Sequence, residues 1–390
     1  MPWKAKNIEE QRYELIRQWR GDGRSVSQLC REYGVSRTTA YKWRQRFQRG
    51  RLKGLQNRSH QPKGVPGRTS QLWLQRLRRE RRRRPTWGVR KLQWSLARRF
   101  GKRGLPAVAT LGRWLQRWGL TKGKRRREPG PVLIRPKARV ARAANAVWTV
   151  DFKGWYRTGD GTRVEPLTVR DLYSHYGFCV RLLRRQSLVA TRREFARLFR
   201  RYGLPRSIRC DNGAPYGGRG PTRLTRLSAW WVKLGIGVEF ITPGRPCENG
   251  SHEQFHRVYK QEVARQPALR MVDQQRRSNR WLRDYNCGRP HEALGMQVPA
   301  EKYRPSRRVM PSKVAPWAYG KGWERRWVKG NGEINWRGVR RYVGEAFVRD
   351  YVGLKPVRAG VWRVYFGPLV VGELWERETG SIRLAEYRRR

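Results

Sequence analysis

The stretch Ala146-Val147-Trp148-Thr149-Val150-Asp151-Phe152-Lys153-Gly154 decides the fold of the central part of the chain. Its apolar and β-branched side chains predict a core β-strand with Asp151 near its end. A second short strand is predicted at Ser207-Ile208-Arg209-Cys210, and Asp211 follows it directly. The turn signal Asn212-Gly213 comes next and leaves the Asp211 carboxylate at the rim of the sheet.

A third acid lies in the segment Asn249-Gly250-Ser251-His252-Glu253-Gln254-Phe255-His256-Arg257. Ser251 and Gln254 have the spacing of a capping box, which predicts a helix with Glu253 in its first turn. Two acids on strands and one on a helix can converge on a pair of metal ions. Two Mg²⁺ ions about 3.5–4 Å apart can activate water or a DNA 3′-hydroxyl for in-line displacement at phosphorus. Carboxylate oxygens suit this hard cation.

Several motifs occur in the order typical of one family. They are Thr149-Val150-Asp151, Asp211-Asn212-Gly213, Pro243-Gly244-Arg245-Pro246, Asn249-Gly250 with Glu253, Asp284-Tyr285-Asn286 and the run from Arg289 to Gly295. This set resembles the catalytic core of bacterial insertion-sequence transposases of the retroviral-integrase (DDE) superfamily. The resemblance implies an RNase H-like fold in which Asp151, Asp211 and Glu253 are the catalytic residues and the ligands of two Mg²⁺ ions, with Mn²⁺ able to substitute. It also implies that Lys260, seven residues after Glu253 on the same helical face, contacts the DNA end.

One departure from the family pattern concerns the third acid. Glu253 follows Asp211 by 42 positions, which is several more than the family's usual separation, and Glu248, at 37 positions, fits that separation better. The excess is expected in the loop Gly217-Gly218-Arg219-Gly220-Pro221. We favour Glu253 because it lies at the helix start, upstream of Lys260. Asp171 is expected to be a structural acid at the end of another core strand.

The same segment contains a second motif. His252-Glu253-Gln254-Phe255-His256 satisfies the H-E-x-x-H pattern of zinc metalloproteases. The extended pattern would require Gly and His where this chain has Tyr259 and Glu262, and no third ligand follows at a suitable spacing. Outside a zinc site, the two histidines are expected to be polar or DNA-facing positions on an exposed helix.

The charge of the chain indicates a nucleic-acid partner independently of any motif. The 390 residues carry a formal net charge of +61, and phosphate neutralisation is the usual reason for such an excess. Residues 51–150 hold 29 Lys and Arg residues against Glu80 and Glu128 alone. Tryptophans interleaved with these charges favour folded basic modules over a solvated tail.

Residues 1–53 have the spacing of a helix-turn-helix domain. Apolar positions predict three helices, with Gly34 breaking the chain before Ser36 caps the third. Ala40, Trp43 and Phe47 are expected to pack inward. The side chains expected to face the DNA major groove are Arg37, Thr38, Tyr41, Lys42, Arg44 and Gln45.

A second helix-turn-helix domain is predicted at residues 71–120, with Arg90, Lys91 and Arg113 as candidate DNA contacts alongside Arg257 and Lys260 of the core. Transposases of the resembled type have two such tandem units before the core. Basic linkers are expected at 54–70 and 121–142, the catalytic core at 143–305 and a further linker at 306–322. Short β-type runs separated by Gly and Asn over residues 323–390 predict a small antiparallel barrel. This region resembles the SH3-like domain that follows some integrase cores. The predicted class is thus multidomain: all-α units, an α/β RNase H-like core with a mixed sheet, and an all-β barrel.

No apolar run is long enough for a transmembrane helix, and the start of the chain lacks an apolar signal segment, so we expect a cytoplasmic, nucleoid-associated protein without a membrane partner. Five scattered cysteines predict reduced thiols. The hypothesis is a DNA transposase that acts as a dimer or higher multimer on double-stranded DNA, both at terminal inverted repeats and at target DNA. Two alternatives stay open: a catalytically silent DNA-binding regulator and, more remotely, the metalloprotease.

Overall fold

The computed structural model describes residues 7–21, 23–58, 69–121, 141–218, 222–242 and 249–383. Glu248, Cys247, the Pro243-Gly244-Arg245-Pro246 motif and most of the linker at 121–142 lie outside the described residues. The chain divides into two compact units, Met1–Thr69 and Ser70–Arg390. Among the described helices, none is long and apolar enough to cross a membrane.

The first unit contains three helices, α1 (Ile8–Gly21), α2 (Val26–Glu32) and α3 (Arg37–Gly54). The Ser36 side chain accepts a hydrogen bond from the backbone amide of Thr39, which satisfies one free donor at the start of α3. Ala40, Trp43 and Phe47 are buried, so the inward face predicted for α3 is confirmed.

The second unit begins with another three helices, α4 (Gln71–Arg83), α5 (Val89–Phe100) and α6 (Val108–Arg117). Leucines at helical spacing fill their common core, together with Trp73 and Trp87. Glu80 is buried in this core, accepts a hydrogen bond from the Ser95 hydroxyl and forms an ion pair with Arg99, whose charge neutralises its own.

A mixed sheet forms the centre of the second unit. Its strands are β1 (Val147–Phe152), β2 (Tyr156–Arg157), β3 (Arg163–Asp171), β4 (Gly177–Leu183), β5 (Ser207–Cys210) and β6 (Gly237–Phe240). β3 pairs antiparallel with β1, β2 and β4, whereas β1, β5 and β6 run parallel to one another. The chain therefore has the integrase-like α/β core with a mixed sheet that the sequence predicts.

Helices cover both faces of this sheet. They are α7 (Leu188–Tyr202), α8 (Arg226–Lys233), α9 (Gly250–Tyr259), α10 (Met271–Gly288) and the short α11 (Pro299–Lys302), with a π-helix at Lys260–Ala264 directly after α9. Because strand side chains alternate between faces, Trp148 and Val150 of β1 point into the main core with α7 and α8. Thr149 and Asp151 point to the other face, where α9 and α10 lie.

The structural role expected for Asp171 is confirmed. Its buried carboxylate, at the end of β3, accepts hydrogen bonds from the backbone amides of Asn145 and Ser174 and from the Ser174 hydroxyl. These bonds tie the loop after β3 to the segment that enters β1.

The C-terminal strands are β7 (Glu324–Trp327), β8 (Glu333–Trp336), β9 (Val339–Tyr342), β10 (Tyr351–Arg358), β11 (Val361–Phe366), β12 (Leu369–Trp375) and β13 (Gly380–Ser381). They form a four-stranded sheet of order β12-β11-β10-β7 and a three-stranded sheet of order β13-β9-β8 around one apolar core. The all-β character is as predicted. The SH3-like barrel is not confirmed, because the described strands form two sheets without closing into one barrel.

Candidate active site

Sheet register brings the two aspartates to the same edge. Strands β1 and β5 are parallel, and Thr149 of β1 is paired with Arg209 of β5. Asp151 and Asp211 each come two residues after this pair, so they lie level with each other. Glu253 lies in the first turn of α9, as predicted, and its side chain is exposed. The three acids are close enough to interact: burial raises the pKa of Asp151 to about 7, with the charge of Asp211 the next largest cause and that of Glu253 a smaller one.

One oxygen of the Asp211 carboxylate is buried without a hydrogen-bond donor. Burial raises its pKa, while a hydrogen bond from the Gly213 backbone acts in the opposite direction. Its Oδ1 atom is buried and has no hydrogen-bond partner. A buried acceptor without a donor, beside a second carboxylate, is an arrangement that a bound cation would relieve.

These carboxylates fit Mg²⁺ by donor type and by charge. Their oxygens are the ligands that a hard cation prefers, and a cation would remove the repulsion that raises the pKa of Asp151. In the part of the chain that is described, however, no three His, Cys, Asp or Glu side chains are already grouped around one point as metal ligands. The sheet aligns the aspartates, and Glu253 stands on a neighbouring helix.

The expectation that His252 and His256 are exposed is wrong, because both imidazoles are buried between α9 and the sheet. Their Nε2 atoms lie 2.6 and 2.7 Å from the hydroxyl oxygen of Thr168, and His252 Nδ1 lies 2.8 Å from that of Thr149. The Thr168 hydroxyl is thus the hydrogen-bond partner of both Nε2 atoms. The H-E-x-x-H motif here therefore packs a helix onto a sheet, and nothing in its geometry supports a zinc site.

This histidine network reaches Asp151 at two points. The Thr168 hydroxyl donates to the Asp151 carbonyl at 2.9 Å, and His256 Nδ1 lies 3.7 Å from Asp151 Oδ2. Burial, followed by the charges of Lys153 and Arg170, lowers the pKa of His256 to about 3, so the contact joins a neutral ring to a carboxylate and is not an ion pair. The network fixes the end of β1 beneath the Asp151 side chain.

The start of α9 differs from the sequence prediction. The helix begins at Gly250 after Asn249, and no side chain caps it. Ser251 therefore lies inside the helix, and its carbonyl instead accepts a hydrogen bond from the buried guanidinium of Arg170. Capping-box spacing placed Glu253 correctly in the first turn but identified the wrong first residue.

Two lysines accompany the acids. Burial lowers the pKa of Lys153, and the neighbouring charge of Lys260 lowers it further, so the two ammonium groups lie near each other. Lys260 is exposed and begins the π-helix, because α9 ends at Tyr259. The backbone of Lys260 is still α-helical and its amide donates to the carbonyl of His256, four residues earlier, so the seven-residue spacing from Glu253 keeps its helical geometry.

Most candidate DNA contacts are exposed. In α3 these are Arg37, Thr38, Tyr41, Lys42 and Gln45, with Arg44 half-buried against Trp19. Arg90, Arg113 and Arg257 are exposed as well. Lys91 is half-buried and lies in a cleft against α9, so it does not project outward from its helical unit.

Thr149, Thr168 and Arg170 are the site residues that sequence reasoning missed. Polar side chains at alternate positions of a core strand, Thr168 and Arg170 in β3, were the available signal, since such a face must meet polar partners. The partners themselves come from α9, more than 80 residues later in the chain.

Comparison with known proteins agrees with this architecture. Two integrase core domain models match residues 141–246 and 234–299, a helix-turn-helix domain model matches 11–63, and a homeodomain-like model matches 39–115. Residues 324–380 match the C-terminal domain of the IS481 family of transposases.

Two related sequences come from bacterial insertion elements. The chain is 27% identical over 215 residues to an uncharacterized 31.7 kDa protein of element IS407 from Burkholderia multivorans, covering 52% of this chain and 75% of that protein. It is 29% identical over 191 residues to a 39.2 kDa protein of element IS476 from Xanthomonas euvesicatoria, covering 46% of this chain and half of that protein. A chain of the simian T-cell lymphotropic virus intasome aligns with 67% of this chain and 93% of its own length, at 14% identity and a TM-score of 0.38. The integrase core models, the helix-turn-helix models and the insertion-element relatives together support a bacterial insertion-sequence transposase of the DDE, or retroviral-integrase, superfamily.

Proposed function

We propose that this protein is an active DNA transposase that binds the terminal inverted repeats of a mobile element, cleaves their 3′ ends and transfers them into target DNA. The observation that carries the proposal is the pair Asp151 and Asp211, level with each other on adjacent parallel strands, within electrostatic reach of Glu253. Metabolic enzymes acting on small neutral substrates have no need of the net charge of +61 that the whole chain carries.

Asp151, Asp211 and Glu253 are the proposed ligands of divalent metal, two Mg²⁺ ions or Mn²⁺ in their place. When bound, such ions would activate the attacking hydroxyl and stabilise the leaving oxygen. The protein's own part is positional: β1 and β5 fix the aspartates, the histidine network holds the end of β1, and Lys153 and Lys260 supply positive charge for a DNA phosphate.

DNA recognition is assigned to the two helical units. The exposed face of α3 is suited to a major groove, and Arg90 and Arg113 are exposed on the second unit. Two ends of an element have to be joined to one target, so we propose that a dimer or larger multimer assembles on paired ends.

The direct test uses the DNA on either side of the gene. Duplexes that carry candidate inverted repeats from these flanks are incubated with the full chain and Mg²⁺, and single-strand breaks at the repeat ends are mapped on sequencing gels. Breaks at the repeat tips and joining to a plasmid support the proposal. Tight binding without a break, in either Mg²⁺ or Mn²⁺, identifies a DNA-binding regulator instead.

Metal binding can be measured without activity. We expect Mg²⁺ to raise the melting temperature of the core, because a ligand at about 100 times its Kd stabilises the folded state by about 2.7 kcal/mol. Differential scanning calorimetry in MgCl₂, against NaCl of equal ionic strength, checks this. The Asp211→Asn variant should lose the Mg²⁺-dependent shift, and an equal shift in that variant would remove Asp211 from the ligand set.

His256 is expected to act on the reaction through Asp151. His256→Ala should lower strand transfer by about 10- to 100-fold, the usual effect of losing a group that orients a ligand. His256→Asn keeps a polar group near Asp151 and should recover part of the rate. The same variants are compared in the Mg²⁺ calorimetry, and unchanged activity together with an unchanged metal response would assign His256 a packing role only.

A further inference from the structure

A cleft of 410 Å³ lies between the second helical unit and the core, beside α9. One wall comes from the start of α5 and includes Gly88 and Lys91. The other comes from α9 and includes Ser251 and Arg257, and Arg170 and Arg289 reach it from the core. Glu253 is on the same turn of α9 as the residues that form this wall.

The cleft contains more positive charge than its own acids neutralise. Arg289 is paired with Glu262 at 2.6 Å. Lys91, Arg170 and Arg257 form no ion pair with a carboxylate among the described residues, and Glu292, the acid that lines the cleft, faces Arg90 at 3.4 Å.

Among these cations, Arg170 gives the strongest evidence for an anion-binding site. It is 2% exposed, donates to the Ser251 carbonyl, and its Nε has no hydrogen-bond partner. Arg170 lies near the Asp171 carboxylate and the Phe255 ring but forms no direct ion pair among the described residues, and a buried guanidinium without a directly bonded carboxylate favours a bound anion. The hydroxyl of Ser251 is likewise buried and unpartnered at this position.

Burial, and after it neighbouring positive charge, lowers the pKa of three titratable groups that line the cleft. Burial and then the charge of Arg289 lower the pKa of Lys91 to about 8. Burial, followed by Arg170, lowers that of His175 to about 4, and burial, followed by Lys91, lowers that of His291 to about 2. Both imidazoles are therefore neutral, and the charged side chains that line the cleft are cations apart from Glu292.

Two helix starts face this space. α5 begins after Gly88 and α9 after Asn249, and no side chain caps either of them. Free backbone amides and the positive end of the helix dipole favour an anion at such a position. Together with the Nε atom of Arg170 and the hydroxyl of Ser251, which have no hydrogen-bond partner, they provide several donors that an anion could use.

The two walls are held together by specific contacts. Arg84, at the end of α4, forms a bidentate ion pair with Asp284 of α10, one arm of which is 2.6 Å long. The Thr86 hydroxyl donates to Glu262 of the π-helix. The cleft is thus a fixed feature of this unit.

We propose that this cleft binds phosphodiester groups of the DNA strand that leads to the Asp151 and Asp211 carboxylates. The inference rests on the proposed function, whose substrate is DNA, and adds where a strand passes between the second helical unit and α9. Lys91, Arg170, Arg257 and Ser251 are its ligands, and the backbone amides at the starts of α5 and α9 complete it. Lys91 accordingly binds phosphate rather than a base edge.

The site can be probed in the full chain without any cleavage. Lys91, with its pKa of about 8, is partly unprotonated at pH 8 and should react with N-hydroxysuccinimidyl acetate. Peptide mass spectrometry follows its acetylation in EDTA, with and without a saturating 30-bp duplex of arbitrary sequence, and with inorganic phosphate at equal phosphate concentration. Lys302, exposed on α11 outside the cleft, is the reference for reagent concentration.

We expect the duplex to slow acetylation of Lys91 strongly and inorganic phosphate to slow it little. The proposal would be overturned if Lys91 were acetylated at an unchanged rate when fluorescence anisotropy shows that the chain is saturated with duplex. Equal protection by inorganic phosphate would overturn the assignment to DNA in favour of a free anion.

A matched pair of double variants gives an independent measurement. Lys91→Gln with Arg257→Gln should lower the slope of log Kobs against log salt by about 0.9 for each lost phosphate contact. The control, Arg184→Gln with Arg185→Gln, removes the same charge from an exposed turn outside the cleft. An equal change in both pairs would refute the cleft. Because every measurement is made in EDTA, failure of the cleft is distinguishable from failure of transposition.

Discussion

Asp151→Asn is expected to abolish 3′-end cleavage and strand transfer while leaving DNA binding intact. The substitution keeps the size of the side chain but removes the charge that Asp211 and Glu253 complement in holding a cation. Activity should fall about a thousandfold or more, since a metal site contributes several kcal/mol at the reacting phosphate and each 1.4 kcal/mol or so changes a rate tenfold. Gel-based cleavage of flank-derived duplexes measures this effect, and a gel shift measures binding.

The fold of this variant should be preserved. Burial and repulsion from Asp211 disfavour the ionised Asp151, so a neutral amide at pH 8 in EDTA should leave the melting temperature unchanged or raise it. Asp273→Asn, a partly exposed acid on α10, is the control and should keep full activity. Cleavage by Asp151→Asn at the rate of this control would exclude Asp151 from the site.

Glu262→Ala is expected to lower the free energy of unfolding more than any other single substitution of a partly exposed residue. Glu262 accepts hydrogen bonds from Trp281 and Arg289, at 2.7 and 2.6 Å, and from the Thr86 hydroxyl. The Arg289 side chain is only 6% exposed, so removal of its partner leaves a buried charge uncompensated. The cost should be about 3 kcal/mol, at the lower end of values for breaking a buried pair because Glu262 is itself partly exposed.

Calorimetry of the full chain measures this loss as a lower melting temperature of the second unit. Glu262→Gln keeps an acceptor for Trp281 and should lose less. Glu301→Ala removes an acid of 45% side-chain exposure that lies 3.6 Å from Arg98, and should change stability by no more than about 1 kcal/mol. Equal melting temperatures for Glu262→Ala and Glu301→Ala would show that Glu262 does not join the second helical unit to the core.

Local patterns in the sequence were sufficient for the two aspartates. The β-branched run before Asp151 and the Asn212-Gly213 turn after Asp211 place each acid at a strand end, and parallel pairing then aligns the ends. Caps and apolar periodicity were likewise sufficient for α3, because a helix face depends on residues within a few positions of one another.

Local sequence patterns do not predict which residues from distant parts of the chain will contact each other. Whether His252 and His256 face solvent depends on what the opposite sheet face offers them, and Thr168 provides it from a distant part of the chain. The same holds for Arg170, whose sequence context shows a basic residue in a strand but not the cleft that it lines. Barrel closure also depends on which edge strands meet, and turn signals between strands do not determine this.

The contacts of Arg84 with Asp284 and of Thr86 with Glu262 hold α4, α5 and α6 in a fixed position relative to the proposed catalytic carboxylates. The bases that Arg113 contacts would then lie a fixed number of base pairs from the phosphodiester bond that is proposed to be cleaved. Inserting half a helical turn of DNA between recognised bases and cleavage point should stop cutting, whatever the sequence inserted.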